Sequence, residues 1–427
     1  MSKIFFLGGH SYGRAKAQYQ AVNSCLIPLG AIAGRQILTV EGVANGSLHP
    51  VQTAMAKLGG SQCGYCTPGF IMSLFAAYYD GTIESDEAIE GNLCRCTGYL
   101  PIRQAAKEAA QTPPVDHFAE ALGHATPELT AIAYQSEAQQ FYRPTSLRDV
   151  LTLLQQYPNA TLVAGATDLG LELSWHRQVY PVMISLEAVP ELKTIEQTSD
   201  WVEIGAAVPL SQIETQLHGV FPAMDEMLHW FAARQVRNRA TLGGNIGTAS
   251  PIGDMPPVLL ALDARVRLAS AAGERVIALA DFFKGYRVTD LQAGEVIASI
   301  QILKGMTPGA TRRLSQSYKI GKRGTDDISI VAAAYVVDLD QQNRIVHARL
   351  AYGGVAATPI RAIAVEQAIV GQTWDLPTIQ RVKPMLHETF TPLDDLRGSA
   401  DYRKRLVANL FEKFFVETSA AHAEVSA

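Results

Sequence analysis

The chain has 427 residues, of which 48% are apolar, 18% charged and 8% aromatic, which excludes a disordered, collagenous or disulfide-scaffold protein and predicts several domains with buried cores. A net charge of −5, from 36 basic and 41 acidic side chains, gives no electrostatic reason to expect a nucleic-acid or anionic-membrane partner. The apolar runs at 69–79 and 328–337 reach about half of the ~20 residues that a bilayer span needs, and the first residues are too short an apolar run for a secretory signal, so a cytoplasmic location is expected.

In chain order, residues 1–45 hold two short strand-like pieces, 17–23 and 36–41, too little to bury a β core alone. From 46 to about 114 the pattern is helical. Pro50 opens 50–58, Pro68 and Gly69 open 69–79, Ser85-Asp86-Glu87 starts a segment through Leu93, and Pro101 leads into an alanine-rich run. These four short helices with tight loops predict a small bundle. Thr112-Pro113-Pro114 ends it, and 115–140 reads as a linker of mixed polar character. An α/β pattern fills 141–308, with helices at 147–157, 210–217 and 223–231 and strands at 160–164, 182–186, 201–205, 266–269 and 296–303. Over 312–420, strands at 315–320, 327–338 and 344–353 precede helices at 361–370, 376–386 and 400–415, a separate α+β unit. The fold class is multidomain α+β.

All five cysteines lie at or before position 96. Cys63-Gly64-Tyr65-Cys66 and Cys94-Arg95-Cys96 each fall in a turn between predicted helices, so four thiolates can converge on one site. Without a secretory signal, metal ligation is expected rather than disulfides. The spacing admits zinc or an iron–sulfur cluster, and small or apolar neighbours predict a shielded site with N–H groups free for inorganic sulfide. Cys25, beside an apolar run, reads by itself as a small core residue.

Two glycine-bearing stretches follow. In Leu162-Val163-Ala164-Gly165-Ala166-Thr167-Asp168-Leu169-Gly170 a strand runs into a turn whose N–H groups suit a pyrophosphate, or into an ordinary turn N-capped by Thr167 or Asp168. The small residues of 241–254 predict a loop that approaches a ligand closely. Neither stretch is a G-x-G-x-x-G, so a Rossmann site is unsupported. By residue type alone Phe231 reads as core, Asp254 as an N-cap before Pro256, and 318–327 as a solvated turn with three cations before two acids.

Gln62-Cys63-Gly64-Tyr65-Cys66-Thr67-Pro68-Gly69 together with Gly91-Asn92-Leu93-Cys94-Arg95-Cys96-Thr97-Gly98-Tyr99 resembles the helical [2Fe–2S] domain of the xanthine dehydrogenase and aldehyde oxidase family. The resemblance implies Cys63, Cys66, Cys94 and Cys96 as ligands of one cluster, with Gln62 toward a molybdopterin. It also implies Cys25 as the last ligand of a second, plant-type cluster, whose C-x4-C-x2-C run would fall before about Met1. Residues 1–45 are therefore expected to be a truncated remnant of a β-grasp ferredoxin domain, with the second cluster absent and Cys25 left over.

The glycine stretches resemble the FAD-binding domain of the same family. That implies FAD phosphates over Leu162, Val163, Ala164, Gly165, Ala166, Thr167, Asp168 and Leu169. Further cofactor contacts would come from Phe231, Thr241, Gly243, Gly244, Asn245 and Asp254, flanked by Ile297 and Lys319. The stretch 318–327 would lie beside the flavin where NAD approaches, and Tyr352-Gly353-Gly354-Val355-Ala356-Ala357-Thr358-Pro359-Ile360-Arg361 matches a C-terminal CO-dehydrogenase-flavoprotein-like domain. The implied domains are 1–45, 46–114 for [2Fe–2S], 141–308 for FAD and 312–420.

The implied function is an iron–sulfur/FAD subunit in a hetero-oligomer with a molybdenum-cofactor large subunit. It would pass electrons to NAD+ during hypoxanthine or xanthine oxidation, with no catalytic residue of its own for the purine. Alternatives are the equivalent subunit of an aldehyde- or N-heterocycle-oxidising relative, and a non-catalytic metal- or flavin-binding assembly protein.

Overall fold

The computed structural model describes residues 3–7, 17–44, 46–124 and 128–425. They form two compact units. The first comprises the chain up to Thr194 with Pro209–Ser211 and Ala232–Thr241; the second comprises Ile195–Val208, Gln212–Phe231 and Leu242–Ala427. No helix among the described residues is long and apolar enough to cross a membrane.

The first unit opens with a three-stranded antiparallel sheet in which Lys3–Leu7, not among the expected strands, lies between Tyr19–Asn23 and Gln36–Leu38. Part of the expected ferredoxin remnant (1–2, 8–16 and 45) lies outside the described residues. The described part joins a larger core: Tyr19, Ala21 and Val43 are buried with Phe70, Phe75 and Ile102 of the following helices.

Those helices are Pro50–Lys57, Thr67–Asp80 and Leu100–Ala110, each with proline in its first turn, where the missing N–H costs nothing. Thr67–Asp80 is the central one and buries Phe70, Ile71, Met72, Leu74, Phe75 and Tyr78; it ends at Gly81, whose φ of +75° an ordinary residue would resist.

The helix expected over 85–93 is instead a single 3-10 turn, Asp86–Ala88. Its continuation is diverted because the Asn92 amide donates to the carbonyls of Ile89 and Glu90 and to the Ser73 hydroxyl, and Gly91 turns left-handed with φ +67°. The fourth helical piece in this core comes from the segment expected to be linker: Asp116 caps His117–Ala121, and Phe118 packs among the helices. The same expected linker also supplies the strand Ile132–Gln135.

His49 is a buried cap for Pro50–Lys57. Its Nδ1 accepts the Val51 N–H at 3.2 Å, and its Nε2 lies 3.0 Å from the Tyr79 hydroxyl, whose proton goes to Asp116 Oδ2 at 2.6 Å. The ring is thereby fixed neutral, with the proton on Nε2. Burial above all holds its pKa down at about 4, against a smaller opposing pull from Asp116. Stability from a neutral His49 is complete above the unfolded value near 6.5 and is lost as pH falls toward 4, on the order of 3 kcal/mol in all. Urea titrations of the full chain at pH 7 and pH 4.5 should show this loss, and His49→Asn, which retains a capping oxygen, should lose measurably less than wild type.

The remainder of the first unit holds a four-stranded sheet ordered Ile132–Gln135, Gln140–Arg143, Val182–Ser185, Thr161–Val163, the last three mutually parallel neighbours. Ligand-binding loops of parallel sheets lie at the carboxyl ends of the strands, which is where Thr161–Val163 enters the 164–169 turn. Beyond Ser185, Glu187 accepts from Arg35 at 2.7 Å and Arg239 at 3.1 Å, tying three distant segments together.

The second unit contains a five-stranded antiparallel sheet ordered Gly273–Ala278, Arg265–Ser270, Val296–Leu303, Trp201–Gly205, Ile195–Gln197. It also contains a four-stranded one ordered Arg312–Ile320, Val331–Leu339, Ile345–Gly353, Ile360–Arg361. Every residue of Val331–Leu339 is buried, as a strand covered on both faces requires. Tyr335 packs its ring 5.6, 5.5 and 5.3 Å from those of Tyr352, Phe411 and Phe414. The strand expected from 327 begins only at Val331, because the Asp327 carboxylate accepts the N–H groups of Lys322, Arg323 and Ile328 and closes a turn there. The last helix runs Ala400–Val425, longer than expected.

Candidate functional site

Cys63 and Cys66 lie in the loop before Thr67–Asp80, and Cys66 is that helix's N-cap; Gly64, with φ +81°, turns the chain between them. Cys94 and Cys96 lie between the Asp86–Ala88 turn and Leu100–Ala110, in a loop bent by Gly91, Gly98 and Tyr99, all with positive φ. Folding brings the four expected ligands together in two pairs, Cys63 with Cys96 and Cys66 with Cys94. The site is less shielded than expected: Cys63 and Cys96 are exposed, and Tyr65, Leu93 and Leu100 present exposed apolar side chains near them in sequence. Cys25 sits in the 3-10 turn Ser24–Leu26 and is exposed rather than core.

Each pair holds one thiol of lowered and one of raised pKa. The Tyr65 N–H, then Cys96, lowers Cys63, and the bond to Cys63 raises Cys96. Burial first, and the bond to Cys94 second, pushes Cys66 up to about 11. Burial also pushes Cys94 up, but the Thr97 hydroxyl, the Thr97 N–H and the Cys96 N–H together outweigh it and bring Cys94 down to about 7.

Among the described residues no three Cys, His, Asp or Glu groups close on one point as ligands of a single ion. Two thiol pairs match the demand of two irons that each take two thiolates, and N–H groups directed at sulfur are the partners that iron–sulfur ligands use. The residues present therefore fit a [2Fe–2S] cluster.

In the first unit, the 162–169 turn owes Gly165 to the chain itself: a Cβ there would stand 1.8 Å from the Arg239 carbonyl oxygen. Ala166 takes a φ of +63°, unusual for a residue with a Cβ. Asp168 occupies the N-cap position of Leu169–Ser174 but makes no capping side-chain bond, so the ordinary-cap reading of this turn does not hold for it. Thr241 is buried and bridges to Pro209.

In the second unit, part of the expected open loop is the short helix Leu242–Gly247. Gly243 sits so tightly on Ala206 that a Cβ would meet its Cβ at 2.5 Å and its carbonyl oxygen at 2.6 Å. A Cβ on Gly247 would lie 3.3 Å from Ile297, which places that expected contact beside the helix. Gly244 and Asn245 are half-buried, and Asn245 Oδ1 is buried with no hydrogen-bond partner among the described residues. A buried amide oxygen in that state is an acceptor open to a ligand or to water.

Asp254 stands at the N-cap of Met255–Ala261, yet its side chain serves elsewhere. It accepts from Lys319 Nζ at 2.8 Å and from the Ser329 hydroxyl at 2.5 Å, while Lys319 also donates to the Trp230 carbonyl at 3.0 Å. Phe231 follows Trp230 and is buried. Phe231, Asp254 and Lys319 are thus gathered in one neighbourhood. Ser329 was missed in the sequence; 75 residues from Asp254, it gave no local signal. Thr97 was missed as a sulfur partner, although a hydroxyl three residues after Cys94 was a usable one.

Three family models match the chain: the [2Fe-2S] binding domain over 39–107, the FAD binding domain in molybdopterin dehydrogenase over 135–302, and the CO dehydrogenase flavoprotein C-terminal domain over 316–418. A chain of quinoline 2-oxidoreductase from Pseudomonas putida is 30% identical with TM-score 0.60, and the match covers 67% of this chain and 99% of that one. The chain belongs to the iron–sulfur/FAD family of molybdenum hydroxylases. Within that family, xanthine dehydrogenase of Drosophila pseudoobscura is 34% identical across 96% of this chain and 35% of its own length, and xanthine dehydrogenase/oxidase of Gallus gallus is 30% identical across 94% and 35%. The chain therefore spans about a third of these relatives. Carbon monoxide dehydrogenase from Hydrogenophaga pseudoflava is 28% identical with TM-score 0.60, over 64% of this chain and 94% of the matched one.

Proposed function

We propose that this chain is the cytoplasmic iron–sulfur and FAD subunit of a xanthine dehydrogenase, acting with a separate large subunit that carries the molybdenum cofactor. The observation that carries the reading is the pairing of Cys63 with Cys96 and Cys66 with Cys94 in a chain whose family binds [2Fe–2S] and FAD. Bound here, the cluster and flavin would supply a one-electron relay and hydride transfer to NAD+.

The chain's own residues hold and tune these groups. Tyr65 and Thr97 direct N–H groups at the sulfurs that would be ligands. Residues 162–169 would cradle the FAD phosphates. Asn245 would accept a hydrogen bond from the cofactor, and the neutral Lys319–Asp254 pair would place polar groups against it without a net buried charge. Asn245→Leu is expected to weaken FAD binding roughly 5- to 100-fold, the worth of one buried hydrogen bond, and to leave iron content unchanged. Unchanged FAD content in that variant would remove Asn245 from the site.

A second reading is favoured by the quinoline 2-oxidoreductase match, which spans nearly all of that chain: an N-heterocycle other than a purine as substrate. Steady-state assays of the chain co-expressed with its large subunit decide. Xanthine-dependent reduction of NAD+ supports the first reading, and turnover of quinoline-type heterocycles without xanthine activity supports the second.

A further inference from the structure

The Cys94 sulfur lies 3.1 Å from the Thr97 hydroxyl and accepts the Thr97 N–H at 3.4 Å. In a free thiol either atom of the first contact could carry the proton, but the surrounding bonds settle its direction toward a thiolate. Thr97 Oγ1 already accepts the Tyr99 N–H at 3.2 Å, so its own proton points away from Tyr99. Tyr99 itself takes a left-handed backbone, φ +68°, which is unfavourable for a bulky residue and is held by the fold around it. The Tyr99 phenol oxygen in turn accepts the Cys94 N–H at 3.1 Å, and its ring packs against Phe70 with centroids 6.3 Å apart. The result is a closed cycle: Cys94 N–H to Tyr99, Tyr99 N–H to Thr97, and Thr97 O–H and N–H to the Cys94 sulfur.

We propose that Thr97 is a positioning residue that raises the reduction potential of the cluster by donating its hydroxyl proton to the Cys94 thiolate. The inference rests on the reading of Cys63, Cys66, Cys94 and Cys96 as [2Fe–2S] ligands. One-electron reduction adds negative charge that is shared with the ligand sulfurs, and hydrogen bonds to those sulfurs favour the more negative state. Tyr99 aims the hydroxyl by occupying its acceptor side.

The test is a dithionite redox titration of the full chain, purified anaerobically, for wild type, Thr97→Val and Thr97→Ser, with iron and sulfide measured on each. Thr97→Val keeps the N–H and the shape but removes the O–H. It is expected to retain iron and sulfide while its one-electron equilibrium shifts about tenfold toward the oxidised form, ~59 mV lower, and Thr97→Ser should restore the potential. Full iron and an unchanged potential in Thr97→Val would overturn the proposal. Wild-type protein without iron and sulfide would overturn the cluster reading and the proposal with it.

Should Thr97→Val not retain iron, pulsed EPR of the reduced wild type after brief transfer to D2O decides. A rapidly exchanged hydroxyl deuteron coupled to the cluster supports the assignment, and its absence overturns it.

Discussion

Cys94→Ala is expected to leave the chain almost without iron and sulfide. Cys94 is the partner of Cys66 and the sulfur on which the Thr97 hydroxyl, the Thr97 N–H and the Cys96 N–H converge. Losing an outer partner of a metal ligand costs roughly 10–100-fold in affinity, and losing the ligand itself should cost more. Binding of such a group is folding free energy for the loops that hold it, so thermal stability of the loaded protein should fall as well. The damage should concentrate in the cysteine loops, because Phe70, Phe75 and Ile102 keep the helices packed without any metal. Far-ultraviolet circular dichroism should change little while the visible cluster signal vanishes. Cys25→Ala is the control and should retain full iron, since the cluster is assigned to the other four cysteines.

Lys319→Met is expected to destabilise the second unit by ~3–5 kcal/mol, because it leaves the Asp254 carboxylate buried without its cation. Ser329 would still donate to one oxygen, but a hydroxyl does not neutralise the charge. The double variant Lys319→Met/Asp254→Leu removes both charges and should recover most of that stability in urea unfolding. It should not recover FAD binding, because the polar groups proposed to meet the cofactor are gone. A double variant that regained both stability and FAD content would reduce the pair to a packing element.

Much of this was legible in the sequence because it rests on local rules. Proline in the first turn and apolar spacing located the helices at Pro50–Lys57, Thr67–Asp80 and Leu100–Ala110, and the spacing of the cysteines located the four thiols that the fold brings together. Three features were not legible. A fourth helix over 85–93 fitted its composition, but the Asn92 side chain competes for the backbone carbonyls there. The segment 115–140 looked like linker because polar and apolar residues are mixed there, yet Phe118 finds a place in a core built by other elements. Gly165 looked like part of a pyrophosphate turn and Gly243 like part of a loop close to a ligand, whereas the close neighbours that require glycine are Arg239 and Ala206 of this chain. In each case the deciding partner is distant in sequence or is a side chain competing with the backbone.

The buried polar residues carry the same lesson. Asp254 has the position of a helix cap, and only the fold reveals that Lys319 and Ser329 take its two oxygens. Residue type suggested the ordinary role, and tertiary contacts supply the other.

The four paired cysteines are proposed to hold a [2Fe–2S] cluster in a chain of a family that also binds FAD. The most direct measurement is the iron, acid-labile sulfide, zinc and flavin content of the full chain purified anaerobically. Two irons, two sulfides and one FAD per chain with no zinc are expected; zinc without sulfide would overturn the cluster assignment.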